Sequence, residues 1–274
     1  MSATTRIGQR LGRLAREGRK GLVAYLCVGD PDLETSRQCV LAAADSGADV
    51  IELGVPFSDP IADGPVIQAA SQRALAAGAS LPRALELAAF VRSHTETPLV
   101  LFGYYNPFFR YGDVSLARDA VAAGVDGLLC VDLPPEEAAE LVSASKTHGL
   151  DRIFLVAPTS DESRIQAVAA VASGFVYVVS VTGVTGARTA APSGIEPLVR
   201  RVAEISRLPV GVGFGISSTD QVVQVGRYAD LVVVGSALVR AVENAGPRAA
   251  AATCARVVGE FRRALDEAFG GAAG

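Results

Sequence analysis

The chain is predicted to fold as a single α/β domain, a closed (β/α)8 TIM barrel of parallel strands with an extra N-terminal helix, and three observations support this. Eight short apolar runs recur along its 274 residues with helical stretches between them. None alternates polar with apolar residues, which is the pattern of strands covered on both faces. A motif also echoes: Gly47-Ala-Asp-Val-Ile, Gly124-Val-Asp-Gly-Leu and Tyr228-Ala-Asp-Leu-Val each read as a helix end, a short connection with Asp49, Asp126 or Asp230, then an apolar strand. No long linker divides these units, and closed barrels of this kind commonly run to about 250 residues as one unit. Eight strand-then-helix repeats favour closure over an open sheet, and no G-x-G-x-x-G follows the first strand, which weakens a dinucleotide-binding alternative.

Taken in order, residues 1–20 place Ile7, Leu11 and Leu14 at helical spacing among arginines, with Glu17 the single acid. Arginine richness superficially suits an organellar presequence, but no apolar h-region or cleavage-like site follows, so an amphipathic helix capping the fold is expected. The apolar runs Leu22–Val28 and Val50–Val55 give the first two strands, with an Ala-rich helix, Glu34–Ser46, between them. Two helices, Val66–Ala77 and Leu81–Arg92, then lead to a third strand, Leu99–Tyr104. Helix Ser115–Ala123, strand Gly127–Leu133, helix Glu136–Thr147 and strand Ile153–Ala157 continue the alternation. Helix Glu162–Ala172 and strand Phe175–Val181 follow, then helix Gly194–Ser206 and strand Val210–Phe214. Helix Asp220–Tyr228 and strand Leu231–Val234 complete the eight, and a last helical region, Leu238–Phe269, is broken near Gly246-Pro247. Together these define one domain over 1–274, with a frayed tail expected at 270–274. The uncharged run Ile165–Ala187 is long enough for a bilayer, but Gln166, Ser173-Gly174 and Gly183-Val-Thr-Gly186 interrupt it, so it reads as a helix end, a buried strand and a loop.

Composition narrows the chemistry. A net charge of −4 gives no electrostatic reason to expect nucleic acid, so a small-molecule substrate is the default. Cys27, Cys39, Cys130 and Cys254 lack C-x-x-C spacing and sit in apolar stretches, so they read as buried thiols in a reducing, cytoplasmic compartment without disulfides. Both lysines, Lys20 and Lys146, and both histidines, His94 and His148, precede strands. Functional groups of such barrels gather at the opposite, carboxyl ends, so a Schiff base, a histidine-rich metal site and a Ser-His triad are all disfavoured. Carboxylates are left to move protons.

Glu52, inside Val50-Ile-Glu-Leu-Gly-Val55, is flanked by core residues; desolvation there raises its pKa and suits an acid or base, while pairing with an arginine is the plainer alternative. The following loop, Pro56-Phe-Ser-Asp-Pro-Ile-Ala-Asp-Gly-Pro65, carries Asp59 and Asp63 and suits a lid, although Asp63 alone also reads as an Asp-Gly turn. Asp132, at another strand end, is expected to cap the helix that follows it. Gly183-Val-Thr-Gly186, Gly213-Phe-Gly-Ile-Ser-Ser218 and Gly235-Ser236 follow the last three strands, where backbone N–H groups cradle phosphate; each is also readable as turn glycine alone.

The segment Ile51-Glu-Leu-Gly-Val-Pro-Phe-Ser-Asp-Pro-Ile-Ala-Asp-Gly-Pro65 resembles the signature of the tryptophan synthase alpha family. The similarity continues in order through Gly29-Asp-Pro31, Tyr105-Asn-Pro107, Asp132-Leu-Pro134, Gly183-Val-Thr-Gly-Ala187, Gly213-Phe-Gly-Ile216 and Gly235-Ser-Ala237. The resemblance implies a cofactor-free retro-aldol cleavage of indole-3-glycerol phosphate to indole and glyceraldehyde 3-phosphate. It assigns acid and base work to Glu52 and the indole N–H to Asp63. It places Tyr25 and Phe214 around the indole, Tyr177 near Glu52, Tyr104 and Thr185 also in the substrate site, and Gly186, Gly215, Gly235 and Ser236 on its phosphate, with no metal ligand. It implies that the loops Ser58–Gly64 and Gly183–Arg188 close together, Thr185 reaching Asp63. A beta subunit is the implied partner, in an alpha2-beta2 heterotetramer, and pyridoxal phosphate is expected only in that partner; Asp59, Pro60, Asn106 and Pro107 resemble the beta-facing rim. A stand-alone lyase and a non-catalytic activating subunit are the alternatives. Two departures stand out: Cys27-Val28 replaces a small-residue pair after the first-strand aromatic, and Val131 precedes the aspartate where Pro or Ala is common.

Overall fold

The computed structural model describes residues 5–179, 194–213 and 215–270. The first half runs α1 (Arg6–Arg16), β1 (Gly21–Cys27), α2 (Leu33–Asp45), β2 (Val50–Gly54), α3 (Pro65–Ala76), α4 (Leu81–Arg92), β3 (Leu99–Gly103), α5 (Tyr105–Tyr111), α6 (Asp113–Ala122) and β4 (Gly127–Cys130). The second half runs α7 (Ala139–His148), β5 (Asp151–Val156), α8 (Glu162–Val171), β6 (Val176–Val179), α9 (Glu196–Ser206), β7 (Val210–Gly213), α10 (Thr219–Gly226), β8 (Leu231–Val234), α11 (Ser236–Ala245) and α12 (Ala250–Phe269). The strands are parallel and close in sequence order, β8 pairing with β1.

Period-two alternation divides each strand between two cores. Leu22, Ala24 and Leu26 of β1 face the helices, while Val23, Tyr25 and Cys27 face the barrel axis. Ile51 and Leu53 of β2 likewise pack outward, which turns Glu52 inward. Both sets are apolar, so the strands read as continuous hydrophobic runs.

The helix α1 covers the amino-terminal mouth of the barrel as the amphipathic pattern predicts, burying Ile7, Leu11 and Leu14. It approaches closely because β1 and β4 begin with glycine: a Cβ on Gly127 would meet Ile7 Cδ1 at 3.0 Å, and one on Gly21 would meet Leu14 Cδ1 at 3.3 Å.

At the same mouth the echoed aspartates have a common structural role. Asp49 accepts the Leu22 N–H (2.7 Å), Asp126 that of Leu99 (2.9 Å) and Asp230 that of Val210 (2.9 Å). In the remaining unit the Ser173 hydroxyl accepts the Arg152 N–H (3.1 Å). Each of the four donates its own N–H back to the carbonyl of the residue it holds. The barrel is thus built from four βαβ pairs, each fastened by a two-bond clamp that satisfies a strand-end N–H otherwise left without a ladder partner. Asp49 also receives Arg10 and the buried Arg262, and Asp126 receives Arg92 and Arg6.

Three expectations are corrected. Asp132 does not cap the helix after it: its carboxylate accepts the Tyr105 N–H (2.7 Å) at the start of α5, a turn from the neighbouring unit. The chain turns at Pro134–Glu137, so α7 starts at Ala139, and β4 ends at Cys130. Helix α5 was not expected, because Pro107 and four aromatics obscure it; the proline falls in the first turn, where no intrahelical N–H is needed. All four cysteines are free and buried. Among the described residues no single helix is long and apolar enough to cross a membrane.

Candidate active site

The carboxyl ends of the strands converge on a small cavity of ≈ 40 Å³ lined by Tyr25, Glu52, Asp63, Phe102, Tyr177 and Ser236, among others. Glu52 reaches it from the centre of β2 and is 1 % exposed. Among the described residues no arginine meets it and Oε1 has no hydrogen-bond partner, and burial pushes the carboxyl up to about 8. An unpaired carboxyl in such a place keeps its proton near neutral pH.

Asp63 closes the loop after β2, directly before Gly64, the cap of α3. Its N–H bonds to Pro60 O (3.1 Å), closing a turn centred on Ile61 and Ala62 rather than on Asp63-Gly64, and its side chain lines the cavity. Burial raises Asp63 to about 6, opposed by a hydrogen bond donated by the Tyr104 hydroxyl (3.0 Å). That hydroxyl also accepts the Ala62 N–H (3.0 Å), so one phenol holds two successive residues of the loop. Gln68 donates to Asp63 O (2.8 Å), and the Ser71 hydroxyl accepts the Phe57 N–H (3.0 Å), anchoring the loop to the helix that follows it.

Tyr25 and Tyr177 stand on β1 and β6, each against a glycine of the next strand. A Cβ at Gly54 would collide with the Tyr25 hydroxyl, and one at Gly213 with that of Tyr177. Gly215, Gly235 and Ser236 line the same cavity as the two acids. Gly215 has φ +79°, and Ser236 begins α11, so backbone N–H groups at a helix start face the cavity. Asp63 also borders an open groove of ≈ 870 Å³ between the loops after β2, β4 and β5.

The structure therefore brings together Glu52, Asp63, Tyr25, Tyr177, Gly215, Gly235 and Ser236, with Tyr104 joined through Asp63. Thr185, Gly186 and Phe214, and with them the Gly183–Arg188 loop, lie outside the described residues. Sequence reasoning missed Phe102, Ile67 and Val233 on the cavity wall. For Phe102 the signal was its inward phase on β3, shared with Val100. Neither departure at the end of β1 lines the cavity: Val28 packs toward the helices and Cys27 sits with Ala70 and Ala74 in the inner core, while Val131 borders the open groove. Among the described residues no three His, Cys, Asp or Glu side chains cluster as metal ligands.

Comparison with known proteins agrees with this geometry. The family profile described as tryptophan synthase alpha chain matches residues 11–266. The tryptophan synthase alpha chain of Geotalea uraniireducens is 56% identical over 240 residues, covering 88% of this chain and 90% of that one. The one from Geobacter sulfurreducens is 52% identical over 266 residues, covering 97% and 99%. Among solved structures, Mycobacterium tuberculosis tryptophan synthase superposes with a TM-score of 0.86 at 42% identity, covering 95% of this chain and 98% of that one. The alpha subunit from Legionella pneumophila gives 0.86 at 36%, covering 97% and 100%. The chain belongs to the tryptophan synthase alpha chain family, whose reaction is the lyase cleavage of indole-3-glycerol phosphate.

Proposed function

We propose that one domain spanning 1–274 cleaves indole-3-glycerol phosphate to indole and glyceraldehyde 3-phosphate, with Glu52 as acid and base and Asp63 as the anion facing the indole nitrogen. The observation that carries this reading is the separation of two carboxyls in one cavity, Glu52 at about 8 and Asp63 at about 6. At pH 7 the first holds a proton and the second a charge, the division of labour an acid–base pair needs.

Protonated Glu52 delivers its proton to ring carbon 3, and the positive charge that spreads to the ring nitrogen is balanced by the Asp63 carboxylate. Glu52, now ionised, takes the proton of the side-chain hydroxyl next to the ring. The electron pair of that O–H bond becomes the carbonyl, the carbon–carbon bond breaks, and its electrons restore the aromatic indole. Glu52 ends protonated, as it began, so neither metal nor organic cofactor is needed on this chain. Gly215, Gly235 and Ser236, with Gly186, hold the phosphate; Tyr25 and Tyr177, with Thr185 and Phe214, enclose the remainder.

The partner is a beta subunit carrying pyridoxal phosphate, in an alpha2-beta2 assembly in the cytoplasm. Support comes from the carboxyl-end rim, where Ile61, beside Asp59 and Pro60, is 86% exposed and Phe109, beside Asn106 and Pro107, is 63% exposed. The Ala62–Tyr104 bond joins these two loops. The deciding experiment is Glu52→Gln: indole release is abolished while binding of a phosphate-ester substrate analogue persists. Near-normal turnover would overturn the assignment.

A further inference from the structure

Tyr25 carries a hydroxyl that takes no part in the proton transfers between Glu52 and the substrate. The residue is 7% exposed and its ring is fixed edge-on against Phe102, with centroids 5.1 Å apart. Among the described residues, nothing hydrogen-bonds its hydroxyl. Space for that oxygen is made by Gly54, where any side chain would displace it. A phenylalanine would fill the same apolar volume, and an unmet hydroxyl in a cavity is unfavourable once bound substrate excludes water.

The placement of Tyr25 says which part of a ligand meets it. Its Cβ lies 3.5 Å from where a Gly235 Cβ would stand, at the phosphate-gripping end of β8. Its backbone is in register with Glu52 on the adjacent strand, and its hydroxyl lies over Gly54, at the end of that strand. The side chain therefore runs along the wall from the phosphate grip to the two acids. In indole-3-glycerol phosphate that interval is occupied by the two hydroxyl-bearing carbons. Burial, followed by the nearby Cys27, Asp63 and Glu52, raises the Tyr25 pKa well above its ordinary value, so the hydroxyl remains a donor throughout.

We propose that the Tyr25 hydroxyl is a substrate-contacting donor that recognises the glycerol hydroxyl oxygens, so that this site selects a hydroxylated side chain between ring and phosphate. The inference rests on the site assignment above. It is tested with Tyr25→Phe and two ligands: indole-3-glycerol phosphate, and the analogue with a plain propyl phosphate chain on ring carbon 3. The variant is expected to lose about tenfold in kcat/KM for the hydroxylated substrate, the worth of one neutral hydrogen bond, while its inhibition constant for the propyl analogue stays at the wild-type value. An equal loss for both ligands would make Tyr25 a packing residue and overturn the proposal, as would no loss for either. Wild-type indole release, and its abolition in Glu52→Gln, are measured alongside, which separates failure of the site assignment from failure of this inference.

Discussion

Replacing Glu52 by Gln is expected to make the protein more stable as the pH rises, even as it removes activity. The folded carboxyl is raised from 4.5 to about 8 by burial. A raised acid binds its proton more tightly in the folded state, so its stabilising effect is complete below pH 4.5 and is lost as pH climbs through 8. Glutamine cannot ionise, and the other titrating groups contribute about equally to both proteins, so the difference isolates Glu52. At roughly 1.4 kcal/mol per unit, the pH-dependent penalty on wild type is about 1 kcal/mol at pH 5, about 3 at pH 7 and about 5 at pH 9. The assay is urea unfolding of both proteins at those three pH values. The stability gap should widen by about 2 kcal/mol from pH 5 to pH 7 and further by pH 9. A constant gap would show that Glu52 is not desolvated when folded, and the acid role built on its retained proton would fall.

The wild-type kcat/KM should rise as Asp63 ionises near 6 and fall as Glu52 ionises near 8, giving a bell that steady-state assays across this range will reveal. Tyr104→Phe removes the bond that holds Asp63 down, so the acidic limb of that bell should move upward, with several-fold lower kcat/KM from loss of loop anchoring. Asp49→Ala leaves the Arg262 guanidinium, 8% exposed, without its buried partner and opens one clamp; urea unfolding should register a loss of about 3–5 kcal/mol, with kcat unchanged because the substitution is at the opposite mouth. The isolated chain should release indole slowly and be accelerated by an added beta subunit, an acceleration that Phe109→Ser weakens; full activity alone would identify a stand-alone lyase.

The barrel was legible because strands buried on both faces must be apolar throughout, and Glu52 stood out as a carboxylate in the middle of such a run, where Asp132 stands near the end of another. Asp63 was legible only through the motif, since an Asp-Gly turn is equally what the local residues describe; the structure puts the turn at Pro60–Asp63 instead and the Asp63 side chain in the site. Ile67 and Val233 were invisible because an apolar pocket wall and a packed core have the same composition, and the inward phase of Phe102 says only that it faces the barrel interior. Gly213 read as part of a phosphate loop, whereas the space above it is required by Tyr177, a three-dimensional neighbour 36 positions earlier in a chain where spacing carries no such message. Asp132 went astray for a related reason. Its partner is the Tyr105 N–H, 27 residues back, while helix capping looks only a few residues ahead.

The four clamps at the amino-terminal mouth bear on how the chain reaches its fold. They span 27, 27, 21 and 20 residues, so each closes a short loop at modest entropic expense. Joining β8 to β1 instead brings Leu231 beside Gly21, across most of the chain. The expected folding order is then four segments able to zip independently, three seams that join them, and a late ring closure at β8–β1. Loosening any clamp should slow its own segment's protection against hydrogen exchange during refolding, whereas loosening the β8–β1 seam should delay protection of the last-formed ring while the four segments protect on time.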